Sequence, residues 1–377
     1  MKKSRIWIAL VIVAAVVIAV VATRRAGSSG EIRIGAVLPL TGSAAVWGEN
    51  AKMGLEIALD ELNQAGGIAG RPIKVLFEDS ESDPAKAVSS LQKLISVHKV
   101  PVVIGDIASS SVLAMAPVAE KFKVVLLSPG ASNPDISKAG EYVFRNWQSD
   151  ALEGEVGAEF AFKRLGKRKM ATLYVNNAYG TGLKTVFEAS FRKLGGEIIA
   201  SESFDQGATD MRSQLEKIKR ANPEAVYLPG YPPEMAILIR QAKEMNLGLQ
   251  FLSVQAFDDP KILETAENAA EGVIFSVPKP PDLTDPIVRN FVARYRQRFN
   301  REPGVCSDTG YDALRIVAWA ISEAGYSGPK IQQQLLKLKE FPGAAGITTF
   351  DSNGDVVRAF TFKTVKNGKF VAWEAPQ

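Results

Sequence analysis

The 377-residue chain contains a single cysteine and a single histidine. With Cys306 alone, no disulfide closes within the chain, so no stapled scaffold is expected. Cys306 itself reads as a small buried hydrophobe. With His98 alone, a His-rich metal site is excluded, and this residue, beside Lys99 at a helix end, reads as a surface side chain. Also missing are a Gly-x-Ser-x-Gly motif, a Gly-rich phosphate cradle with lysine, and a histidine to serve a serine as base. Adjacent carboxylates such as Asp258-Asp259 are the remaining hint of acid–base chemistry, and on a loop they read as solvated. No low-complexity tract or short tandem repeat is present, which argues against solenoids and propellers. A non-enzyme without metal or cofactor is expected.

What is present is an ordinary globular composition, 46% hydrophobic and 23% charged, long enough for two domains. The net charge of +4 comes from the start of the chain. Lys2, Lys3, Arg5, Arg24 and Arg25 have no acidic neighbour there; setting them aside leaves 40 basic against 41 acidic residues. A nearly neutral body gives no reason to expect a nucleic-acid partner. Lys2, Lys3 and Arg5 precede an apolar run from Ile6 to Ala22, the pattern of an export signal. Two outcomes stay open. Val20-Val21-Ala22 offers a weak cleavage site, whereas the length of the run and Arg24-Arg25 after it also suit an uncleaved anchor. No cysteine ends the run, so a lipoprotein is excluded. Ala26 to Gly30 reads as a flexible linker.

From residue 31 the chain alternates strand and helix patterns. Ile32–Leu38 is a short apolar strand, and Ala51, Leu55, Ala58 and Leu62 mark one face of the next helix. Gly66-Gly67 ends that helix. Asp83 caps another, with Pro84 at its first position. Strands are expected at Ile73–Glu78, Val100–Ile104 and Val124–Leu127, with a helix over Ser109–Phe122. A second βα set begins at Lys169–Val175 and continues to Gly272–Phe275. Helices follow over Pro286–Phe299, Asp308–Gly325 and Ile331–Leu338. A tight turn at Phe350–Asp355 is expected to lie between strands near the end, followed by Val356–Thr364 and Phe370–Trp373. The fold class is α/β, with two sets of parallel strands covered by helices.

Ligands of open parallel sheets bind beyond the carboxyl ends of the strands. The loops at those ends carry the candidate residues. Gly105-Asp106-Ile107-Ala108-Ser109 opens a helix, whose free N–H groups and serine hydroxyls suit a carboxylate. Serine N-capping explains the same residues. Gly130 and Ser132 follow a later strand, in what is otherwise an ordinary Pro/Gly turn. Tyr179 and Tyr231 follow strands of the second set, and Trp47 follows the first strand. Each ring covers a ligand or simply packs.

These segments resemble the branched-chain amino-acid-binding proteins of ABC importers, the leucine/isoleucine/valine type, over residues 31–374. Ile34-Gly35-Ala36-Val37-Leu38-Pro39-Leu40-Thr41-Gly42, Asn63-Gln64-Ala65-Gly66-Gly67, Gly70-Arg71-Pro72-Ile73, Ser128-Pro129 and Ala178-Tyr179-Gly180 carry the likeness by order and spacing. The resemblance implies a type I periplasmic-binding-protein fold, two doubly wound lobes joined by three crossings. It places residues 1–30 in a signal or anchor, 31–147 and 280–346 in lobe one, and 150–277 and 350–377 in lobe two. Crossings are expected near Asn146–Ala151, Val277–Pro281 and Gly346–Phe350.

It further implies that Ser109, helped by Gly130 and Ser132, holds an α-carboxylate, and that Trp47 covers the ligand side chain. Tyr179 and Tyr231 come from the opposite lobe. Gln255 departs from the pattern, because relatives commonly place an acidic residue there for the ligand's ammonium. Asp150 matches a second acidic position; a shifted loop carrying Asp258 is the other source of charge. The function implied is capture of an amino acid, branched-chain or otherwise apolar, by an exported monomer that delivers it to permease and ATPase subunits. Two alternatives stand beside it. One is a ligand-sensing receptor of the same fold, which the chain's end at Gln377 without a signalling domain disfavours. The other is a binder of amides or of aromatic or aliphatic carboxylates, which the uncharged Gln255 would suit.

Overall fold

The computed structural model describes residues 30–375. The export segment therefore lies outside the described residues. The first sheet is fully parallel, with strands β1 (Ile32–Leu38), β2 (Ile73–Asp79), β3 (Val102–Gly105), β4 (Val125–Ser128) and β5 (Val143–Arg145) in the order β2-β1-β3-β4-β5. Its strands are near-continuous apolar runs because helices cover both faces. Those helices are α1 (Ala45–Gln64), α2 (Pro84–Ser96) and α3 (Ser109–Phe122). Asp83 caps α2 as expected, accepting from the N–H groups of Ala85 at 2.8 Å and Lys86 at 2.9 Å.

After β5 the chain enters α4 (Asp150–Glu159) and the second sheet. Strands β6 (Lys169–Val175), β7 (Glu197–Phe204), β8 (Ala225–Leu228), β9 (Phe251–Ser253) and β10 (Ile274–Pro278) are parallel. Helices α5 (Ala178–Lys193), α6 (Arg212–Ala221), α7 (Pro232–Glu244) and α8 (Pro260–Ala266) connect them. Two antiparallel strands, β11 (Phe360–Lys366) and β12 (Lys369–Ala372), complete the order β12-β11-β10-β9-β8-β6-β7.

The late helices α9 (Pro286–Phe299), α10 (Ser307–Ala324) and α11 (Gly328–Leu335) return to the first sheet. Gly54 of α1 lies so close to α10 that a Cβ there would come within 1.9 Å of the Ser307 carbonyl oxygen. The Tyr311 hydroxyl donates to Glu61 at 2.6 Å, and Asn290 donates to the same carboxylate at 3.0 Å.

The expected hairpin is misplaced by one Asn-Gly pair. The turn joining antiparallel strands is Asn367-Gly368, where both residues have positive φ (52° and 66°), as a type I′ turn requires. The stretch around Asn353-Gly354 instead folds on Asp351, whose Oδ1 accepts from the N–H groups of Asn353 at 2.8 Å and Asp355 at 2.9 Å. That local turn carries Asp355 onto Arg145 of β5. The guanidinium is fully buried. Nε reaches Asp355 Oδ1 at 2.6 Å and Nη2 reaches Oδ2 at 3.0 Å; Nη1 meets the Asn133 carbonyl at 2.8 Å, and Nη2 also meets Ser137 Oγ at 2.7 Å.

Candidate ligand site between the two sheets

Three aromatic rings meet where the carboxyl ends of the two sheets face each other. Trp47 sits in the first turn of α1. The next residue, Gly48, allows that turn to press on the β1 loop, since a Cβ would lie 2.0 Å from the Pro39 carbonyl oxygen. Tyr179 repeats the device in the other lobe. A Cβ on Gly180 would lie 2.1 Å from the Val175 carbonyl oxygen, so the first turn of α5 is drawn against the end of β6. Tyr231 precedes α7 and stacks on Tyr179 with ring centres 5.6 Å apart. Trp47 meets Tyr231 edge-on at 5.2 Å and Tyr179 at 6.3 Å. All three rings are buried. The Asn177 amide donates to the Tyr231 hydroxyl at 3.3 Å, while the Tyr179 hydroxyl and the Trp47 indole N–H are buried without a partner.

Polar groups of the first lobe converge on the same place. Ser109 opens α3 and is buried; its Oγ accepts from the N–H groups of Ser132 at 3.3 Å and Asn133 at 3.2 Å. A hydroxyl that accepts twice keeps its own proton to donate. The Ser132 carbonyl accepts the Asp150 N–H at 2.7 Å, so Ser109, Ser132 and Asp150 form one hydrogen-bonded chain. Gly130 lines the cavity, and its missing side chain leaves room for Ile107 and Cys306; a Cβ would lie 2.8 Å from the first and 3.0 Å from the second.

Asp150 begins α4 behind the cap Ser149 and is fully buried. Neither carboxylate oxygen has a partner in hydrogen-bonding geometry. Glu153, one turn on, is also buried. Burial pushes the Asp150 carboxyl well above its ordinary range and the Glu153 charge pushes it further; the Ser132 hydroxyl and Arg145 pull it back only in part. Burial likewise raises Glu153 to about 7, against hydrogen bonds from Ser276 and Gln255. The Ser276 hydroxyl lies 2.5 Å from Glu153 Oε1, and the Gln255 N–H lies 3.0 Å from the same oxygen. The Gln255 side-chain amide, turned with its nitrogen inward, donates to both carboxylate oxygens. The charges of both acids also raise the Tyr179 phenol, which burial has already raised.

Burying two carboxylates without a cation is unfavourable, and two neighbouring ones more so. The arrangement could take a cation beside an anion. Their separation by one short hydrogen-bonded chain suits a zwitterion.

A family model described as periplasmic binding protein matches residues 31–369. The chain belongs to the periplasmic binding protein family. The fold agrees. A leucine-binding protein of Thermotoga maritima superposes with a TM-score of 0.85 at 30% identity, over 91% of this chain and 98% of that one. A branched-chain amino acid transporter substrate-binding protein of Streptococcus pneumoniae, in complex with isoleucine, superposes with a TM-score of 0.84 at 30% identity and the same coverage. A leucine-, isoleucine-, valine-, threonine- and alanine-binding protein of Pseudomonas aeruginosa is 27% identical over 330 residues, 87% of this chain and 88% of that one. Membership in the periplasmic binding protein family carries an extracytoplasmic location and a role in binding for transport.

The structure brings the eight residues singled out by sequence to one place. Trp47, Gly130, Tyr179, Tyr231 and Gln255 border a single small cavity. Ser109, Ser132 and Asp150 form the chain of hydrogen bonds beside it. Asp258 points elsewhere and pairs with Lys363 at 2.7 Å. Glu153 was missed, as were Trp147, Ile107 and Cys306 in the cavity wall. Glu153 had a signal, since it stands three residues after Asp150 on the same helix face.

Proposed function

We propose that this periplasmic binding protein is the solute-binding subunit of an ABC importer and captures an α-amino acid with an apolar side chain. The buried, unpartnered Asp150 carboxylate beside Glu153 carries this reading. An ammonium group placed there offsets the charge of one carboxylate, while burial and the closeness of the two acids favour a proton on the other. The ligand carboxylate accepts hydrogen bonds from the Ser109 hydroxyl and from the free N–H groups at the start of α3. Trp47, Tyr179 and Tyr231 enclose the side chain. Gln255 does not meet the ammonium itself but holds Glu153, which restores the charge that Gln255 lacks. The names of the relatives from Thermotoga, Streptococcus and Pseudomonas support the same ligand class.

The lobes, 31–147 with 280–346 and 150–277 with the tail strands β11 and β12, open and close about the three crossings. The turn before those strands moves with the first lobe because Asp355 is paired with Arg145 there. The closed form is held by direct contacts. The Ala178 N–H donates to Ser110 Oγ at 3.2 Å, the Asn133 amide donates to the Ala178 carbonyl, and the Gln206 amide donates to the Ser82 carbonyl at 3.2 Å. The cage in this form leaves about 10 Å³, room for no more than a water, so a ligand enters only when the lobes part, and they close less tightly around it. Closure then presents a loaded surface to a permease, and ATP is hydrolysed by a separate subunit. The chain is an exported monomer and performs no reaction of its own.

A thermal-shift screen of residues 31–377 against amino acids, amides and aromatic acids tests the reading. A ligand at 100 times its Kd adds about 2.7 kcal/mol of stability. Stabilisation by aliphatic amino acids is expected. Stabilisation only by compounds without an ammonium group would overturn it.

A further inference from the structure

A second cavity of about 360 Å³ adjoins the aromatic cage, a size typical of small-molecule sites. The two cavities share a wall of Trp147, Gln255, Val305 and Cys306. One side of the larger chamber is apolar, made by Pro280, Pro281, Val288, Phe291 and Val292. Most of its charged groups are matched to each other. Lys363 holds Asp258 at 2.7 Å, and Arg296 holds both oxygens of Glu302 at 2.7 and 2.9 Å.

Arg358 is not paired in this way. Among the described residues its buried Nε has no acceptor, and its only hydrogen bond is a long one from Nη2 to Thr348 Oγ1 at 3.4 Å. Asp308 also lines the chamber, with Oδ1 accepting the Thr309 N–H at 2.8 Å. A group that completes this corner accepts from Arg358 and faces Asp308 without repulsion. An amide does both, because its carbonyl accepts and its N–H donates. A carboxylate accepts as well but meets the charges of Asp308 and Asp312, both of which act on Arg358.

We propose that the chamber is a second compartment of the ligand site, taking the far end of an amino acid whose long apolar side chain terminates in an amide. The proposal rests on the amino-acid reading of the cage. The side chain passes between Trp147, Gln255, Val305 and Cys306, and its amide completes the hydrogen bonding of Arg358.

Calorimetric titration of the wild type with ε-N-acetyl-L-lysine, L-2-aminopimelate and L-leucine tests this, alongside Arg358→Met and Val292→Trp. ε-N-Acetyl-L-lysine is expected to bind about tenfold more tightly than L-2-aminopimelate, the worth of one hydrogen bond to a charged group. Each substitution is expected to weaken ε-N-acetyl-L-lysine by about tenfold and to leave L-leucine unchanged. Should Arg358→Met fail to fold, Val292→Trp decides, since it fills the chamber from α9 and leaves the charges in place. L-leucine binding without ε-N-acetyl-L-lysine binding would overturn the proposal, as would ε-N-acetyl-L-lysine affinity indifferent to Val292→Trp. Equal affinity for L-2-aminopimelate would overturn the amide assignment. If none of the three binds, the amino-acid reading itself fails.

Discussion

Arg145 and Asp150 lie five residues apart, and both are fully buried. Their surroundings are opposite. Arg145 has four hydrogen bonds, two of them to a carboxylate of opposite charge. Among the described residues, neither Asp150 oxygen has a partner in good hydrogen-bonding geometry; only the Ser132 hydroxyl is near, and a second acid lies close by. A satisfied buried charge fixes structure, here tying the last strand of the first sheet to the turn at Asp355. An unsatisfied one stores an affinity for whatever brings the missing charge. The contrast separates framework from binding site without reference to any relative.

Breaking the satisfied cluster has the largest expected effect. Arg145→Ala strands the Asp355 carboxylate and should lower folding stability by about 3–5 kcal/mol, read by chemical denaturation without ligand. The unsatisfied cluster should respond in the opposite sense. Asp150→Asn should cost about 2–5 kcal/mol of amino-acid affinity, while ligand-free stability holds or rises, because the repulsion from Glu153 is gone. A large loss of ligand-free stability would show that Asp150 is framework after all. Ser109→Ala should cost about 1.5–3 kcal/mol of affinity for ligands with a carboxylate and little for ligands without one. Paired titrations of an amino acid and its decarboxylated amine would resolve this.

The most gradual effect is in pH, being spread over several units. Burial raises Asp106 to about 6 and Glu153 to about 7 in the folded protein, above the ordinary carboxyl values of 3.8 and 4.5. The folded state therefore holds more protons than the unfolded chain between about pH 4 and 7, and ligand-free stability falls as pH rises through that window, by up to about 1.4 kcal/mol per pH unit for each group. Below the unfolded values the dependence ends. Amino-acid affinity should run the other way and weaken as Glu153 is protonated below about pH 7. Melting curves from pH 4 to 8, with and without ligand, would show the two trends converging at acid pH.

The order of strands and helices was legible because each element is short, apolar and punctuated by proline, glycine or a capping acid. Ile32–Leu38, Ser109–Phe122 and Pro286–Phe299 fall where their patterns place them. The helix beginning at Asp150 was not legible, and only its first two residues fell within an expected feature, the crossing near Asn146–Ala151. Gly154 and Gly157 dilute its helical signal. Packing explains the first, since a Cβ on Gly154 would lie 2.8 Å from the Val186 side chain. Without that helix, Glu153 had no face to share with Asp150, and the loss of charge at Gln255 looked uncompensated. The tail was misread for a different reason. Two Asn-Gly pairs carry the same hairpin signal, and only tertiary contact with Arg145 assigns the first of them elsewhere. The aromatic cage was legible residue by residue, but its closure across two lobes only through the family resemblance, because no local pattern encodes a contact between Trp47 and Tyr231.

Calorimetric titration of the wild-type protein with L-leucine, 4-methylpentanoate and 3-methylbutylamine, which share a branched skeleton and differ in their charges, tests most directly whether the paired acids hold an ammonium group. L-leucine is expected to bind, and the acid without an ammonium group to bind at least about a hundredfold more weakly, the cost of leaving buried carboxylates unpaired. The amine is expected to fall between them. If 4-methylpentanoate binds as tightly as L-leucine, Asp150 and Glu153 are not a cation site and the amino-acid assignment is wrong.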